Sequence, residues 1–437
     1  MPYNVIVGRN DADKKRLGEK GTIFIGKNYV KMGPTTSLSN NILLDVASSH
    51  IILVSGKRGS GKSFSISTIA EEMVKLPEEV SKNLAVLMFD TMGIFWTMKY
   101  PNLKQEKLLQ QWNIKPEGLN INLFVPYGSF NDYKNRGIPV DNELSINTAE
   151  LTSSDWCSVF NVSLTDSPGI LIDQVITELS EKSSDYGVDD IITLIRSNSK
   201  AEHKTKDLVE SFFSLAQNWG LFKKYGTKIE DLVKAGEVSV LDLSPYTNIS
   251  GNWSIKGLII GLISKKLLNQ RISSRKSEEV ESISTYDKYF EGSETLEKPL
   301  VWLLLDEGHE FVGKNNPGPA TDALIQILRE GRQPGISLII ATQQPGEIHK
   351  DVITQSDIII SHRLTSKIDL EALNQMMQTY LLSDIQTFMN DLPKVKGSAI
   401  LLDDNSERIY PIQIKPKKSW HGGDSPSAVK EIKQLII

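Results

Sequence analysis

Residues 51–66 read IILVSGKRGSGKSFSI. An apolar, β-branched run breaks into a loop with glycine at 56, 59 and 61, and the loop ends in Lys62 and Ser63. The string from Gly56 to Ser63, GKRGSGKS, has the spacing G-x-x-x-x-G-K-[ST]. Glycines let successive backbone N–H groups curl around phosphate oxygens, and a helix that starts at the end of the loop adds the positive end of its dipole. The chemistry requires a strand before the loop and a helix after it. IILVS reads as the strand, and FSISTIAEEMVKL has helical spacing. The expected cradle is Gly56, Lys57, Arg58, Gly59, Ser60, Gly61, Lys62, Ser63 and Phe64. Lys62 is expected to reach the β- and γ-phosphates of ATP, and the Ser63 hydroxyl to ligate Mg²⁺.

Outward from this loop, near-continuous apolar runs alternate with helical patterns, which is the mark of a parallel α/β sheet covered on both faces. The expected core strands are 51–55, 85–90, 238–244, 300–307, 336–343 and 357–364. Between about 145 and 235 the pattern is helical and strands are absent, so a helical insertion is expected there. Its amphipathic helices are Leu151–Asn161, Gly169–Glu181, Asp189–Ser197 and Lys206–Trp219. The polar stretch 271–294 reads as a surface loop. The first 45 residues alternate short strand-like runs with turns and form a short β-rich segment. GSAILLDDNSERIYPIQIKP reads as a closing hairpin, and SAVKEIKQLII as an amphipathic tail helix. The division is therefore 1–45, 46–416 and 417–437.

A phosphate loop needs acids on a neighbouring strand. VWLLLDEGHEF supplies them, with Asp306 and Glu307 at the carboxyl end of an apolar strand, where open α/β sheets bind ligands. Asp306 is expected in the Mg²⁺ shell through water, and Glu307 to polarise the attacking water. ISLIIATQQP follows after one helix and one loop, and places Gln343 at the tip of the next strand, where an amide senses the γ-phosphate or positions water. Arg332, in LREGRQPGI, is expected to emerge at the surface and complete a neighbouring subunit's site as a transition-state arginine. Arg329 and Arg363 are weaker candidates for that role.

Composition sets the outer limits. The chain has 437 residues, a formal net charge of -5, 39% hydrophobic and 24% charged residues, an ordinary globular balance without a global basic signature. A local basic channel suffices for nucleic acid, so such a partner stays open. Cys157 is the only cysteine, which excludes an internal disulfide and a cysteine-cluster metal site. No run is long enough to span a bilayer, and MPYNVIVGRND lacks the apolar core of a signal peptide, so a cytoplasmic protein without membrane contact is expected.

The ordered set GKRGSGKS, VLMFDTMGIFW, VSVLDLS, LLLDEGHEF and REGRQPGISLIIATQQP resembles the HerA–FtsK class of P-loop motors, most of all HerA, over about 22–416. The resemblance implies a RecA-like P-loop NTPase core that hydrolyses ATP with Mg²⁺. It implies a ring, by family habit a hexamer, that moves DNA through its pore. By position it gives Lys62 and Ser63 the nucleotide–Mg²⁺ role, Asp306 and Glu307 the acidic-strand role and Gln343 the sensor role. Arg332 falls at the trans-acting arginine. The short leader stands where relatives carry a full β-barrel, and the tail resembles a segment that reaches a neighbouring subunit. A separate nuclease or other effector is the implied partner, in DNA end processing or anti-phage defence.

The DEGH spelling of 306–309 also suits two-lobed helicases, but the chain after Gln343 is expected to be too short for a second lobe. A single lobe requires its arginine from another subunit. Expected pore contacts are Lys314 in GKNNPGPATD, and Lys99 and Lys104 in MKYPNLKQEK, donating to phosphate without sequence preference. Two further readings stay open: a scaffold ring that ATP switches, and a soluble packaging or conjugation ATPase.

Overall fold

The structure is a computed structural model. It describes residues 3–32, 35–248, 252–288, 296–315, 317–377 and 385–423. Its strands are β1 Asn4–Val7, β2 Thr22–Met32, β3 Thr35–Asp45, β4 Ile51–Ser55, β5 Leu84–Asp90, β6 Asn122–Pro126, β7 Asn142–Leu144, β8 Ile146–Asn147, β9 Phe222–Lys223, β10 Val238–Asp242, β11 Leu300–Leu305, β12 Ile336–Thr342, β13 Ile358–His362, β14 Ser398–Asp403 and β15 Arg408–Ile414. Thirteen of them form one sheet in the order β1-β3-β2-β15-β14-β13-β4-β12-β11-β5-β10-β6-β7, and β8 pairs with β9.

From β13 to β7 the sheet is parallel throughout. Every residue of β4, β5 and β12 is buried, as strands covered on both faces must be. The period of two divides them between two cores. Ile51 and Leu53 of β4, with Leu87 and Phe89 of β5, face one layer of helices. Ile52 and Val54, with Val86 and Met88, face the other side, packed by Ile66, Ile69 and Met73 of the helix Lys62–Met73.

The first layer contains the helices Ser153–Phe160, Ser167–Lys182, Val188–Ser197 and His203–Gln217. Their apolar faces close on Trp156, Phe213 and Phe222. The expectation of no strand in 145–235 is corrected by β8 and β9, which pair Ile146 with Phe222 and Asn147 with Lys223. Two residues per strand leave no period to read. The strands β6 and β7, unforeseen in the sequence, extend the sheet beyond β10.

The stretch 271–294 is also corrected. It is helical as far as Lys288, as the second half of Asn252–Lys288. The reason lies in Arg271, which is 1% exposed. Its guanidinium donates to Pro334 O, Lys298 O and Glu278 Oε1 at 2.8–2.9 Å. Arg275 pairs with Glu279 one turn on, at 3.1 Å. A polar sequence stays helical because tertiary contacts hold its start. Residues 289–294 lie outside the described residues.

On the far side of β13, β14 pairs with it antiparallel and forms the expected closing hairpin with β15. The leader does not stand apart from the rest of the chain: β2 pairs with β15, and β3 and β1 follow. A buried cluster joins the two. Arg9 pairs with Asp45, His50 Nε2 lies 3.3 Å from Asp45 Oδ2, and His50 Nδ1 lies 2.6 Å from Asp357 Oδ2. The two carboxylates hold the imidazolium so well that His50 rises to about 9 in spite of its burial. The tail helix expected from SAVKEIKQLII lies outside the described residues.

Candidate nucleotide site

The carboxyl ends of β4, β12 and β11 lie side by side. Thr342 is in register with Ser55, and Ile340 with Leu305. This brings Lys62, Ser63, Asp306, Glu307 and Gln343 to one edge of the sheet.

The loop turns at Gly56, whose φ of +155° is open to glycine. A Cβ there would lie 2.6 Å from the Cβ of His362. The loop is then tied down by two backbone bonds, Lys57 N to Arg363 O at 3.2 Å and Ser60 N to Lys57 O at 3.1 Å. The helix Lys62–Met73 starts at once, so the first-turn N–H groups face the loop without intrahelical partners. Lys62 folds back towards Lys57 O at 3.4 Å. Burial lowers its pKa, and Asp306 and Glu307 oppose that shift.

Ser63 Oγ donates to Asp306 Oδ2 at 2.5 Å. Asp306 in turn accepts from the N–H of Glu307 at 2.9 Å. Glu307 has a left-handed backbone, φ 53° and ψ 42°, which costs a non-glycine residue of order 1 kcal/mol. Gly308 follows against β12, where a Cβ would lie 2.2 Å from Ile340 Cγ2. This tight turn aims the Glu307 carboxyl into the site. Its Oε2 is buried with no hydrogen-bond partner. Burial first, then the charge of Asp306, raise Glu307 to about 7. His309 stands between this carboxyl and β12, with Nδ1 at 3.6 Å from Glu307 Oε2 and 3.3 Å from Thr342 Oγ1. Gln343 comes next and is half-buried.

Beneath the loop lies a residue that sequence reading passed over. His362, at the end of β13, is fully buried. Its Nδ1 lies 3.1 Å from Ser398 O, and a carbonyl only accepts, so the proton sits on Nδ1. Nε2 then accepts from Ser65 Oγ at 2.8 Å. Burial lowers His362 to about 4, so the ring is neutral at ordinary pH. A lone histidine at a strand end carries no pattern in sequence that marks it as the floor of a loop.

Asp90, in DTMG, also finds a place. It caps the turn after β5, accepting from Gly93 N and Phe95 N at 2.7 Å each. Burial, with Asp242 in register beside it, raises Asp90 to about 8.

The remaining candidates are dispersed. Arg332 is exposed in the turn before β12, at the amino edge of the sheet. The length of β12 separates it from the phosphate loop of its own chain by about 20 Å. Arg329 is committed to Asp351 at 2.5 Å, and Arg363 donates to Leu392 O at 3.4 Å. Lys314 and Lys104 are exposed. Lys99 is paired with Asp141 at 2.5 Å and is 16% exposed, a poor position for a DNA contact.

The residues suit a nucleotide with a divalent cation. A hydroxyl and a carboxylate converge at Ser63 and Asp306, and an orphaned buried carboxylate oxygen waits at Glu307. An all-oxygen donor set selects a hard ion.

The parallel sheet and its phosphate edge define a P-loop ATPase. Residues 30–263, more than half of the chain, match the family described as helicase HerA, central domain, and the chain belongs to that family. A probable helicase of Methanocaldococcus jannaschii is 23% identical over 97% of this chain and 76% of its own length. The DNA double-strand break repair helicase HerA of Sulfolobus acidocaldarius is 20% identical over 97% of this chain and 75% of its own length. Among solved structures, VirB4 of Thermoanaerobacter pseudethanolicus superposes with a TM-score of 0.55 at 13% identity, over 91% of this chain and 98% of that one, a likeness of fold.

Proposed function

We propose that this chain is one subunit of a ring, a homo-hexamer, that uses ATP hydrolysis to translocate or unwind DNA. The exposed position of Arg332 carries this reading. It lies one strand length from its own phosphate loop, out of reach of that site and open to the site of a neighbour. Membership of the HerA family and the helicase names of the relatives support it.

Lys62 and the first-turn N–H groups bind the β- and γ-phosphates. Ser63 and, through water, Asp306 would hold Mg²⁺, which would supply positive charge to the phosphate oxygens. Glu307 orients the attacking water and takes its proton. A carboxylate with a pKa near neutrality is suited to that transfer. Gln343, next to Thr342 and through it to His309, reports the phosphate state to β12. Arg332 of one subunit stabilises charge in the site of the next.

DNA passes through the pore, gripped by phosphate contacts such as Lys314. The chain divides into the segment 1–45, which continues the sheet of the motor through β2, the motor 46–416 with helices inserted at about 145–235, and the tail 417–437, whose first residues pack on the helix Lys62–Met73. A separate nuclease or other effector docks on the ring, in DNA end processing or anti-phage defence. The ring works in the cytoplasm; among the described residues no helix is long and apolar enough to cross a membrane.

The test is ATP hydrolysis with and without duplex DNA, for the wild type and Glu307→Ala, with assembly size followed by light scattering. A ring whose turnover rises with DNA and vanishes in the variant is the expected result. A ring that ignores DNA would move the function to an ATP-switched scaffold. A monomer with full turnover would defeat the trans-arginine argument.

A further inference from the structure

After β15 the chain returns to the nucleotide edge. Residues 415–423 form a strap along one face of the helix Lys62–Met73. Glu71 of that helix is fully buried and is the strap's anchor. It accepts from Lys418 N at 2.8 Å, Ser419 N at 2.9 Å and Ser419 Oγ at 2.8 Å. Lys415 Nζ adds an ion pair at 3.3 Å, and reaches Glu72 at 2.6 Å. On its other side the strap is sewn to the segment after β5. Trp420 N donates to Tyr100 O at 2.7 Å, and Thr97 Oγ1 to Trp420 O at 3.3 Å.

The direction of the strap matters. Phe64 and Glu71 are seven residues apart, two turns of one helix face, or about 10 Å. Ser419 meets Glu71, and His421 meets Phe64, ring edge to ring face at 5.3 Å between centroids. The strap therefore climbs towards the amino end of the helix, where the phosphates are received. Lys417, only 1% exposed, stands behind Phe64 with Nζ 6.0 Å from the ring centroid, and donates to Trp420 O at 3.3 Å. Gly422 lies tight against the segment after β5, where a Cβ would lie 2.8 Å from Ile94 O.

Phosphates on 56–63 place the α-phosphate nearest the first helical turn. The ribose and base hang from it, beyond Ser63, and the next side chain is Phe64. We propose that Phe64 and His421 form the nucleobase subsite, so that the strap supplies a wall for the purine of the nucleotide. This rests on the assignment of Gly56–Ser63 as the phosphate cradle. The strap thereby makes the carboxyl-terminal end of the described chain part of the substrate site, and Glu71 is a positioning residue that sets its height.

The experiment is titration calorimetry on the full chain with Mg²⁺, comparing the imido analogue of ATP with inorganic tripolyphosphate. The wild type is expected to prefer the nucleotide. His421→Ala is expected to weaken the nucleotide roughly tenfold, as loss of one aromatic–base stack does, and to leave tripolyphosphate unchanged. His421→Phe is expected to restore the preference. A parallel loss of both ligands in His421→Ala, or a loss of neither, overturns the subsite. A wild type that binds tripolyphosphate as tightly as the nucleotide overturns it too, and leaves the phosphate cradle standing. A wild type that binds neither ligand overturns both.

Discussion

Two buried polar clusters lie at opposite ends of β4 and could hardly be more different in how they treat charge. At its amino end, Arg9, Asp45, His50 and Asp357 pair with one another, and Ile51 N donates to Asp357 Oδ1 at 2.9 Å. Arg9 Nη1 and Nη2 also reach Gly18 O and Lys20 O, and only its Nε lacks a partner. At the carboxyl end, Glu307 Oε2 and Ser60 Oγ are buried and unpartnered, Glu307 is left-handed, and Lys62 and Glu307 are both shifted towards neutrality. A network made for cohesion satisfies its members within the chain. A site made for a ligand leaves them waiting, at a cost to stability that the rest of the fold carries.

The sharpest way to break this contrast is at Glu307. Glu307→Gln should lower turnover by about 10²–10⁴-fold, the weight of a general base. It should not lower the unfolding midpoint. The folded carboxyl has a raised pKa, so its ionised form destabilises the fold as pH rises from the unfolded value through about 7. The glutamine variant should therefore be at least as stable as the wild type at pH 8 by calorimetry.

The opposite cluster should respond in the opposite way. Asp45→Asn leaves Arg9 and His50 short of a carboxylate and should cost about 3–5 kcal/mol in urea unfolding, the penalty of breaking a buried pair. Nucleotide affinity of the folded fraction should hold. The same cluster has a pH signature. His50 is raised to about 9 in the fold, so its contribution is complete below its unfolded pKa near 6.5 and disappears as pH rises through about 9. The stability gap between wild type and His50→Gln, about 3 kcal/mol at most from a shift of that size, should close between neutral pH and pH 10.

Gly308→Ala tests the turn that links the acids to β12. Its Cβ meets Ile340 Cγ2, which belongs to the buried core and has no room to yield. A loss of about 1–3 kcal/mol is expected, with turnover reduced more than nucleotide binding. The smallest effects are expected at the lysines. Lys314→Ala should reduce the salt dependence of DNA binding by about one counterion per site. Lys99→Ala, which only releases Asp141, should change stability by less than about 1 kcal/mol and leave that salt dependence alone.

The legible part of this molecule follows from local rules. The strand, loop and helix around Gly56–Ser63 stand where the pattern puts them, as do β5, β10, β11, β12, β13 and the closing hairpin. The four helices of 153–217 lie within a few residues of their amphipathic patterns. The failures have different causes. β7, β8 and β9 are two or three residues long, and the second half of Asn252–Lys288 is polar, so neither period nor hydrophobicity marks them, whereas β6 is as long as β4 and as apolar, and its signal was there to read. Arg271, which holds that helix, gains its partners from residues 27 and 63 positions away.

By itself the sequence determined the class of chemistry. A glycine loop ending in lysine and serine, and an apolar strand ending in two acids, are local patterns whose physics allows few other uses. Tertiary structure alone decided how the site is finished. It brought His362 beneath the loop from 297 residues beyond Ser65, joined His309 to the strand before Gln343, and tied the strap to Glu71 across 348 positions. Such partners are chosen by which strand ends and segments meet at one edge of the sheet, and no periodicity along the chain encodes that meeting.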